Sequence, residues 1–287
     1  VIHEKIRNAL ALRAPVPPVI ILADDGSTDG SEEVCRAAAA AHPGRIVHVR
    51  APRGGKNRTL NRALAGISEG IVVFSDANAM YAPDSLERIV EPFLDPDVGC
   101  VVGQLEFHKD GATLEGAYWR YENQVKRLES ATGTMVVGNG AILAARAGLI
   151  PELLPGVAND LQLPLAVARA GYRTVFHPAA VAREHVSDSH GEEYGRKVRM
   201  ATRGLSHAGA MFRLAPGRLK LQFLVHKVLR WLTGVALVEV LVLTTALAAG
   251  RGGIYHWLLA AQGLFYLLAL AGHLGEARGV GVPATRF

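Results

Sequence analysis

Between residues 19 and 102 short apolar runs alternate with helix-patterned segments, and this alternation restricts the possible folds more than any other feature of the chain. Residues 19–23, 46–49, 71–74 and 98–102 are compact and rich in β-branched side chains, as buried strands are. Helical signals fill the gaps. An alanine-rich stretch closes near Gly44 and opens on Asp29 and Glu32, spaced as a capping box; Leu60, Leu64 and Ile67 form an apolar stripe; residues 83–94 place Pro83 near a first turn. Strands and helices following one another this closely predict an α/β fold: a mostly parallel sheet with helices on both faces, binding ligands beyond the carboxyl ends of its strands. Ahead of the first strand, Ile2, Ile6 and Leu10 predict a helix that Pro15, Pro17 and Pro18 end.

Two strand ends carry chemistry. The run ending at Ala23 leads into Asp24-Asp25-Gly26-Ser27-Thr28-Asp29-Gly30, good turn chemistry in which Asp24 and Asp25 can also accept hydrogen bonds from a ribose or a base. The run ending at Phe74 leads into Ser75-Asp76-Ala77-Asn78. Asp76 and Asn78, two residues apart on an extended backbone, put two oxygen-bearing side chains on one side, which suits a hard divalent cation bridging phosphates; a strand-ending Asx turn is the plainer reading. Gly54-Gly55-Lys56 can bring backbone N–H groups and an ammonium to the same sheet edge, while Lys56 alone reads as an exposed helix start. Its spacing is not G-x-x-x-x-G-K-[ST], which excludes a phosphate-binding NTPase loop.

Beyond residue 103 the alternation loosens. Residues 113–130, with Tyr118, Trp119, Tyr121 and Glu122, read as a long helix whose Trp119 and Tyr121 are core residues or a platform for an acceptor sugar. Gly138-Asn139-Gly140 interrupts residues 136–143. Asn159-Asp160 opens a helix carrying Leu161, Leu165 and Val167, ended by Gly171, and residues 173–176 return as a strand. Asp160 reads either as a carboxylate matched to the helix dipole or as a general base. Arg196, Arg199 and Arg203 share one helical face, suited to a diphosphate, an acceptor or a membrane surface. His177, His185, His190 and His207 show no ligand pairing.

In order and spacing, Asp24-Asp25-Gly26-Ser27-Thr28-Asp29, Gly55-Lys56 with Leu60-Asn61, Phe74-Ser75-Asp76-Ala77-Asn78, Gly138-Asn139-Gly140 and Asn159-Asp160-Leu161 followed by Gly171-Tyr172-Arg173 resemble the signature of family-2 glycosyltransferases with the GT-A fold. The segment from His226 to Trp231, ahead of an apolar tail, is similar to the membrane-anchored bacterial-type subgroup. The resemblance implies inverting transfer of a sugar from a nucleotide-diphospho-sugar, with a UDP-sugar favoured, to a glycan or lipid-linked acceptor, with Mg²⁺ or Mn²⁺ as cofactor. It implies that Asp25 contacts the nucleoside, with Asp24 and Lys56 also on the donor. Asp76 would serve the ribose and the metal, Asn78 the metal and diphosphate, and Asp160 would take the acceptor proton. Gly138, Asn139, Arg196 and Arg199 would lie on the acceptor or diphosphate side.

Two positions depart from the family pattern. Asn78 stands where a second Asp is usual, which removes a negative charge and is expected to weaken or alter metal dependence. The Gln-x-x-Arg-Trp of polymer-building members is not found around Arg196-Lys197-Val198-Arg199-Met200. The family also implies a strand ahead of the opening helix, so residues are expected upstream of Val1. A nucleotidyltransferase making nucleotide sugars and a catalytically silent membrane scaffold are the rival readings.

Composition changes at Trp231. Residues 231–250 carry Glu239 as their single charge, and residues 254–275 carry none apart from His256 and His273. Each run approaches the roughly 20 apolar residues that cross a bilayer. Arg213, Arg218, Lys220, Lys227 and Arg230 outweigh Arg251 in the connecting turn, which predicts a multi-pass inner-membrane protein with its catalytic domain in the cytosol. Glu239 would then face a neighbouring helix or a polar path. The net charge of +5 is unevenly spread, acidic from Asp76 to Asp97 and basic from Arg196 to Arg230, which fits anionic lipid headgroups and no nucleic-acid partner. The expected organisation is a catalytic domain at 1–212, a basic interfacial segment at 213–230, two spans within 231–275 and a tail at 276–287. Cys35 and Cys100 lack metal-ligand spacing and read as reduced core thiols in the cytosol.

Overall fold

The computed structural model describes residues 1–109, 112–113, 117–133, 135–185 and 190–277. The chain opens with α1 (Ile2–Ala11), β1 (Ile20–Asp24), α2 (Ser31–Ala41), β2 (Ile46–Arg50), α3 (Lys56–Leu64) and β3 (Ile71–Phe74), the alternation read from the sequence. Next come β4 (Met80–Tyr81), α4 (Ser85–Val90), β5 (Val98–Lys109), β6 (Ala112–Thr113), α5 (Ala117–Thr132), β7 (Leu143–Arg146), α6 (Asn159–Arg169) and β8 (Arg173–His185). The last elements are helical: α7 (His190–Leu214), α8 (Leu219–Phe223), a π-turn (Leu224–Val228), α9 (Leu229–Trp231), α10 (Thr233–Arg251) and α11 (Ile254–Ala277).

The sheet has two parts. β1 and β2 pair in parallel, and a six-stranded sheet runs β3-β7-β5-β8-β4 with β6 on β5. β5 and β8 are parallel, while β7 runs against both of its neighbours, so this larger sheet is mixed. The reversal of β7 positions the site. Phe74 pairs with Leu143 in antiparallel register, so the residues leaving the carboxyl end of β3 lie beside those leading into β7.

Successive residues of β5 face opposite sides, as a pleated strand requires. Val101 joins Ile89, Phe93, Ile142 and Ala144 on one face; Cys100 and Val102 join Phe74, Leu143, Leu153, Leu163 and Val167 on the other. Both cysteines are buried free thiols, and burial pushes the Cys100 thiol up to about 12. A third apolar cluster of Leu161, Leu165, Met211, Phe223 and the partly buried Trp231 ties α6 to α7, α8 and α9. The basic segment is therefore docked against the helix that Asp160 opens.

Local boundaries differ from the sequence reading in three places. Gly30, in the left-handed region at φ 84°, is the N-cap of α2, and Asp29 Oδ1 accepts the Ser31 N–H at 3.1 Å; the helix starts one residue later than a capping box from Asp29 to Glu32 requires. α3 stops at Leu64, which leaves Ile67 outside its stripe and exposed. α5 begins at Ala117 because Ala112 and Thr113 pair with β5 instead.

Two helices among the described residues are long and apolar enough to cross a membrane, Thr233–Arg251 and Ile254–Gly272. Gly252 and Gly253, at φ 63° and 61°, make the turn between them. They pack through Thr244 on Gln262 at 3.0 Å and the Tyr266 hydroxyl on the Leu237 carbonyl at 3.1 Å, and expose Val238, Leu243, Trp257 and Phe265 outward. A core helix of such composition would be covered by protein; these are not. Glu239 is exposed, lies two residues (about 200°) around α10 from Leu237, and has no hydrogen-bond or ion-pair partner among the described residues.

Candidate active site

The residues that follow β1 are organised by Asp25. Its carboxylate accepts the N–H groups of Gly54 and Gly55, each at 2.9 Å, and the Thr59 hydroxyl at 2.9 Å. The Gly54 N–H, aided by Thr59 and Gly55 against a smaller desolvation cost, holds this carboxyl below its ordinary value. Asp25 thereby shapes the Gly54-Gly55-Lys56 loop that starts α3. Beside it opens a cleft of about 530 Å³ lined by Gly26, Arg50, Ala51, Pro52, Arg53 and Arg62, within the size range of small-molecule sites. Asp24 behaves differently. It is buried, accepts the Ser27 N–H at 2.9 Å and lies 3.9 Å from both His48 and Arg50, so it fastens the turn to β2. Strand alternation sends it inward while Asp25 is half-buried at the cleft, so Asp24 serves the turn.

The end of β3 is held by two lysines. Lys56 Nζ lies 2.5 Å from Asp76 Oδ1, which joins the glycine loop to Asp76. Lys5 reaches across from α1, donates to Ser75 Oγ at 2.6 Å and to the Ala79 carbonyl, and lies 4.3 Å over the Tyr81 ring. Burial lowers the Lys5 ammonium to about 8, with Asp76 pulling the other way. Sequence reasoning missed Lys5; its signal was a lysine beside Ile6, the buried residue of an otherwise exposed helix. The Tyr81 hydroxyl, 3.0 Å from the Phe74 carbonyl and 3.2 Å from that of Ala141, ties the end of β3 to the loop before β7.

That loop brings the two carboxylates together. Gly138 donates its N–H to the Asp160 carbonyl at 2.6 Å, and Gly140 donates to Asp160 Oδ2 at 3.2 Å. Asn139 Oδ1 accepts the Ala141 N–H at 3.2 Å and holds the turn. A methyl group placed on Gly140 would lie 3.8 Å from Asn159 Oδ1, Asp160 Oδ2 and Asp76 Oδ2 alike. Three oxygens from two elements thus surround one small space. The loop ahead of α6 is clipped to α3: Asn57 donates to the carbonyls of Leu154 at 2.6 Å and Val157 at 2.8 Å, and Asn61 exchanges two hydrogen bonds with Leu153.

The sequence profile described as "Glycosyltransferase like family 2" matches residues 1–206, which hold all of these elements. The chain belongs to that glycosyltransferase family. The mannosyltransferase PcManGT from Pyrobaculum calidifontis, solved with GDP-Man and Mn²⁺, has a similar fold, with a TM-score of 0.72 and 24% identity over 97% of this chain and 79% of that one. The glycosyltransferase is also similar to the succinoglycan biosynthesis protein ExoA of Rhizobium meliloti, at 26% identity over 59% of this chain and 54% of that protein. It is 28% identical to an undecaprenyl-phosphate 4-deoxy-4-formamido-L-arabinose transferase of Edwardsiella ictaluri, over 61% of this chain and 53% of that protein. The chain spans about half the length of these curated relatives.

The donor set of the glycosyltransferase fits a hard divalent cation. Asp76 Oδ2 carries no hydrogen bond among the described residues, and Asn78 offers an amide oxygen from the exposed turn that follows; phosphate oxygens would complete the shell. Other expected residues stand apart. Asn78 makes no hydrogen bond with Asp76, and Arg199 is exposed on α7 without a hydrogen bond or ion pair among the described residues. The side chains of Arg196, Trp119, His185 and His190 lie outside the described residues. Tyr121 is 61% exposed on the outer face of α5, which corrects its core reading.

A charged cluster between α5 and the π-turn was also missed. Glu122 pairs with Arg230 at 2.7 Å, and Glu129 is held at 2.5 Å by both Gln222 and His226. Lys126 and Lys227 lie within electrostatic reach of each other and of Asp160, and burial lowers the pKa of both. Trp231 packs edge-on to Phe223 at 6.1 Å and against Gly204, where a methyl group would sit 2.4 Å from its ring. Lys227-Val228-Leu229-Arg230-Trp231 has the spacing of Gln-x-x-Arg-Trp with Lys in the first position. This spacing stands later in the chain than Arg196-Lys197-Val198-Arg199-Met200, where it was sought.

Proposed function

We propose that this glycosyltransferase moves a sugar, with inversion, from a nucleotide-diphospho-sugar to a hydroxyl of a glycan or lipid-linked acceptor at the cytosolic face of a membrane. The convergence of Asp76, Asn159 and Asp160 on Gly140 carries the reading, because it brings a strand end suited to the donor within a few ångströms of a carboxylate suited to a general base. The acceptor oxygen bonds to the anomeric carbon as the bond to the diphosphate oxygen breaks; the hydroxyl proton passes to Asp160 and the electron pair leaves on the diphosphate. Asp25 and the arginine-lined cleft take the nucleoside, and Lys56 and Asp76 face the phosphates. Asp76 and Asn78 would hold Mg²⁺ or Mn²⁺, which when bound supplies positive charge for the departing diphosphate.

Residues 1–212 form the catalytic domain in this reading, 213–230 an interfacial segment, and α10 with α11 the membrane anchor. The docking of α8 and α9 on α6 supports it, because it sets the anchor directly behind Asp160's helix. Membranes carrying the protein, incubated with labelled UDP-sugars and GDP-mannose, should transfer label to an acceptor; a UDP-sugar is expected to serve best. Asp160→Ala should reduce turnover about 10²–10⁴-fold. Chelation should abolish transfer, and Asn78→Asp should preserve or strengthen the metal requirement. Equal activity of native protein and Asp160→Ala would sink the base assignment.

A further inference from the structure

The acceptor side carries positive charge that its own carboxylates do not use. Glu122 is engaged by Arg230, and Glu129 by Gln222 and His226. That leaves the ammonium groups of Lys126 and Lys227 with only the longer-range pull of Glu122, Glu129 and Asp160. Neither lysine has a hydrogen-bond or ion-pair partner among the described residues, and Lys126 Nζ lies over the Phe176 ring, 5.8 Å from its centroid. Lys126 is only 7% exposed, and the Lys227 stem is partly exposed while its ammonium is desolvated. A buried ammonium with three unused donors is costly unless an anion completes its shell. Desolvation outweighs the pull of Glu122, Asp160 and Glu129 on both lysines.

Lys227 sits in a π-turn, a backbone irregularity common at functional sites, only a few residues ahead of the first apolar span. We propose that Lys126 and Lys227 form a binding site for a phosphate group beside Asp160. This rests on the glycosyltransfer reading above and adds to it a phosphate-bearing ligand on the acceptor side. Two substrates offer that chemistry: the phosphate of a lipid acceptor arriving from the membrane, or the diphosphate of the donor.

Binding separates them without relying on turnover. The full chain in detergent is titrated with UDP, GDP, farnesyl phosphate and, as the uncharged control, farnesol. Lys126→Met and Lys227→Met should each weaken a phosphate ligand at least about tenfold, the scale of losing a charge-assisted hydrogen bond, while Lys227→Arg retains most of the affinity. A loss confined to farnesyl phosphate assigns the site to a lipid phosphate; a loss confined to UDP or GDP assigns it to the donor diphosphate. Both methionine variants binding every anion as the native chain does, or losing farnesol equally, would overturn the site. A native chain that binds neither nucleotide fails the donor reading instead, and the farnesyl phosphate comparison still decides the lysines. Circular dichroism melting confirms that the variants compared are folded.

Discussion

The halves of this site that we assign to donor and acceptor are built in different ways. On the donor side short motifs at strand ends satisfy one another at close range: Asp25 with the Gly54-Gly55 loop, Lys56 with Asp76, Lys5 with Ser75. On the acceptor side, long helices bring charged side chains inward, and Glu129 Oε2, Asn123 Oδ1 and Asn159 Nδ2 carry no hydrogen bond among the described residues, whereas the unbonded Asp24 Oδ2 and His48 Nε2 of the donor side at least face each other at 3.9 Å. A satisfied network is already shaped for its ligand, whereas an unsatisfied one is completed by it.

The sharpest way to break this contrast is at its junction. Asp76→Ala removes the one carboxylate that touches both halves, and labelled-donor turnover should fall by at least about 10²–10³-fold, the scale of losing a preorganised charge at a transition state. Full activity would mean that the halves meet elsewhere. Gly204→Ala should be next. Its methyl would collide with the Trp231 ring and disturb α9, so we expect a stability loss of about 1–3 kcal/mol in denaturant titration together with weaker acceptor use at unchanged nucleotide affinity.

Smaller effects are expected where the donor network has redundancy. Thr59→Val deletes one of several bonds to Asp25 and should weaken nucleotide binding by about 1 kcal/mol, read by calorimetry, without altering the acceptor. The effect of Lys5→Met depends on pH. Folding lowers the Lys5 ammonium from its ordinary 10.5 to about 8, so the unfolded chain binds the extra proton between those values. Native stability relative to Lys5→Met should therefore rise as pH increases from about 8 towards 10.5, and thermal melts across that window measure it.

The same contrast explains what the sequence disclosed. Asp25, Lys56, Asp76 and Asp160 were legible because each stands at a strand end or helix start, where a short local pattern marks the position. The β1, β2 and β3 strands were legible for the same reason, each a brief apolar run closed by turn residues. The mixed direction of β7 was not, since Leu143-Ala144-Ala145-Arg146 carries no sign of which neighbour it will pair with. Lys126 and Glu129 read as ordinary polar positions of a long helix; only the docking of α8 and the π-turn buries them. Asp24 and Asp25 read alike because they share one chemistry, and one residue of strand pleat separates the buried Asp24 from the half-buried Asp25. Lys227 and Arg230 stood out within the His226 to Trp231 segment and the basic run, but their contacts with α5 depend on a π-turn that no local pattern marks.

The Asn57 and Asn61 clip has a consequence for both halves. Lys56, the first residue of α3, touches Asp76, and within the next five residues the same helix grips the loop that leads to Asp160. α3 thus braces the end of β3 with its first residue and the loop ahead of α6 with the turns that follow. In the proposed reading the donor phosphates and the acceptor side lean on this one helix, so a disturbance of α3 reaches both.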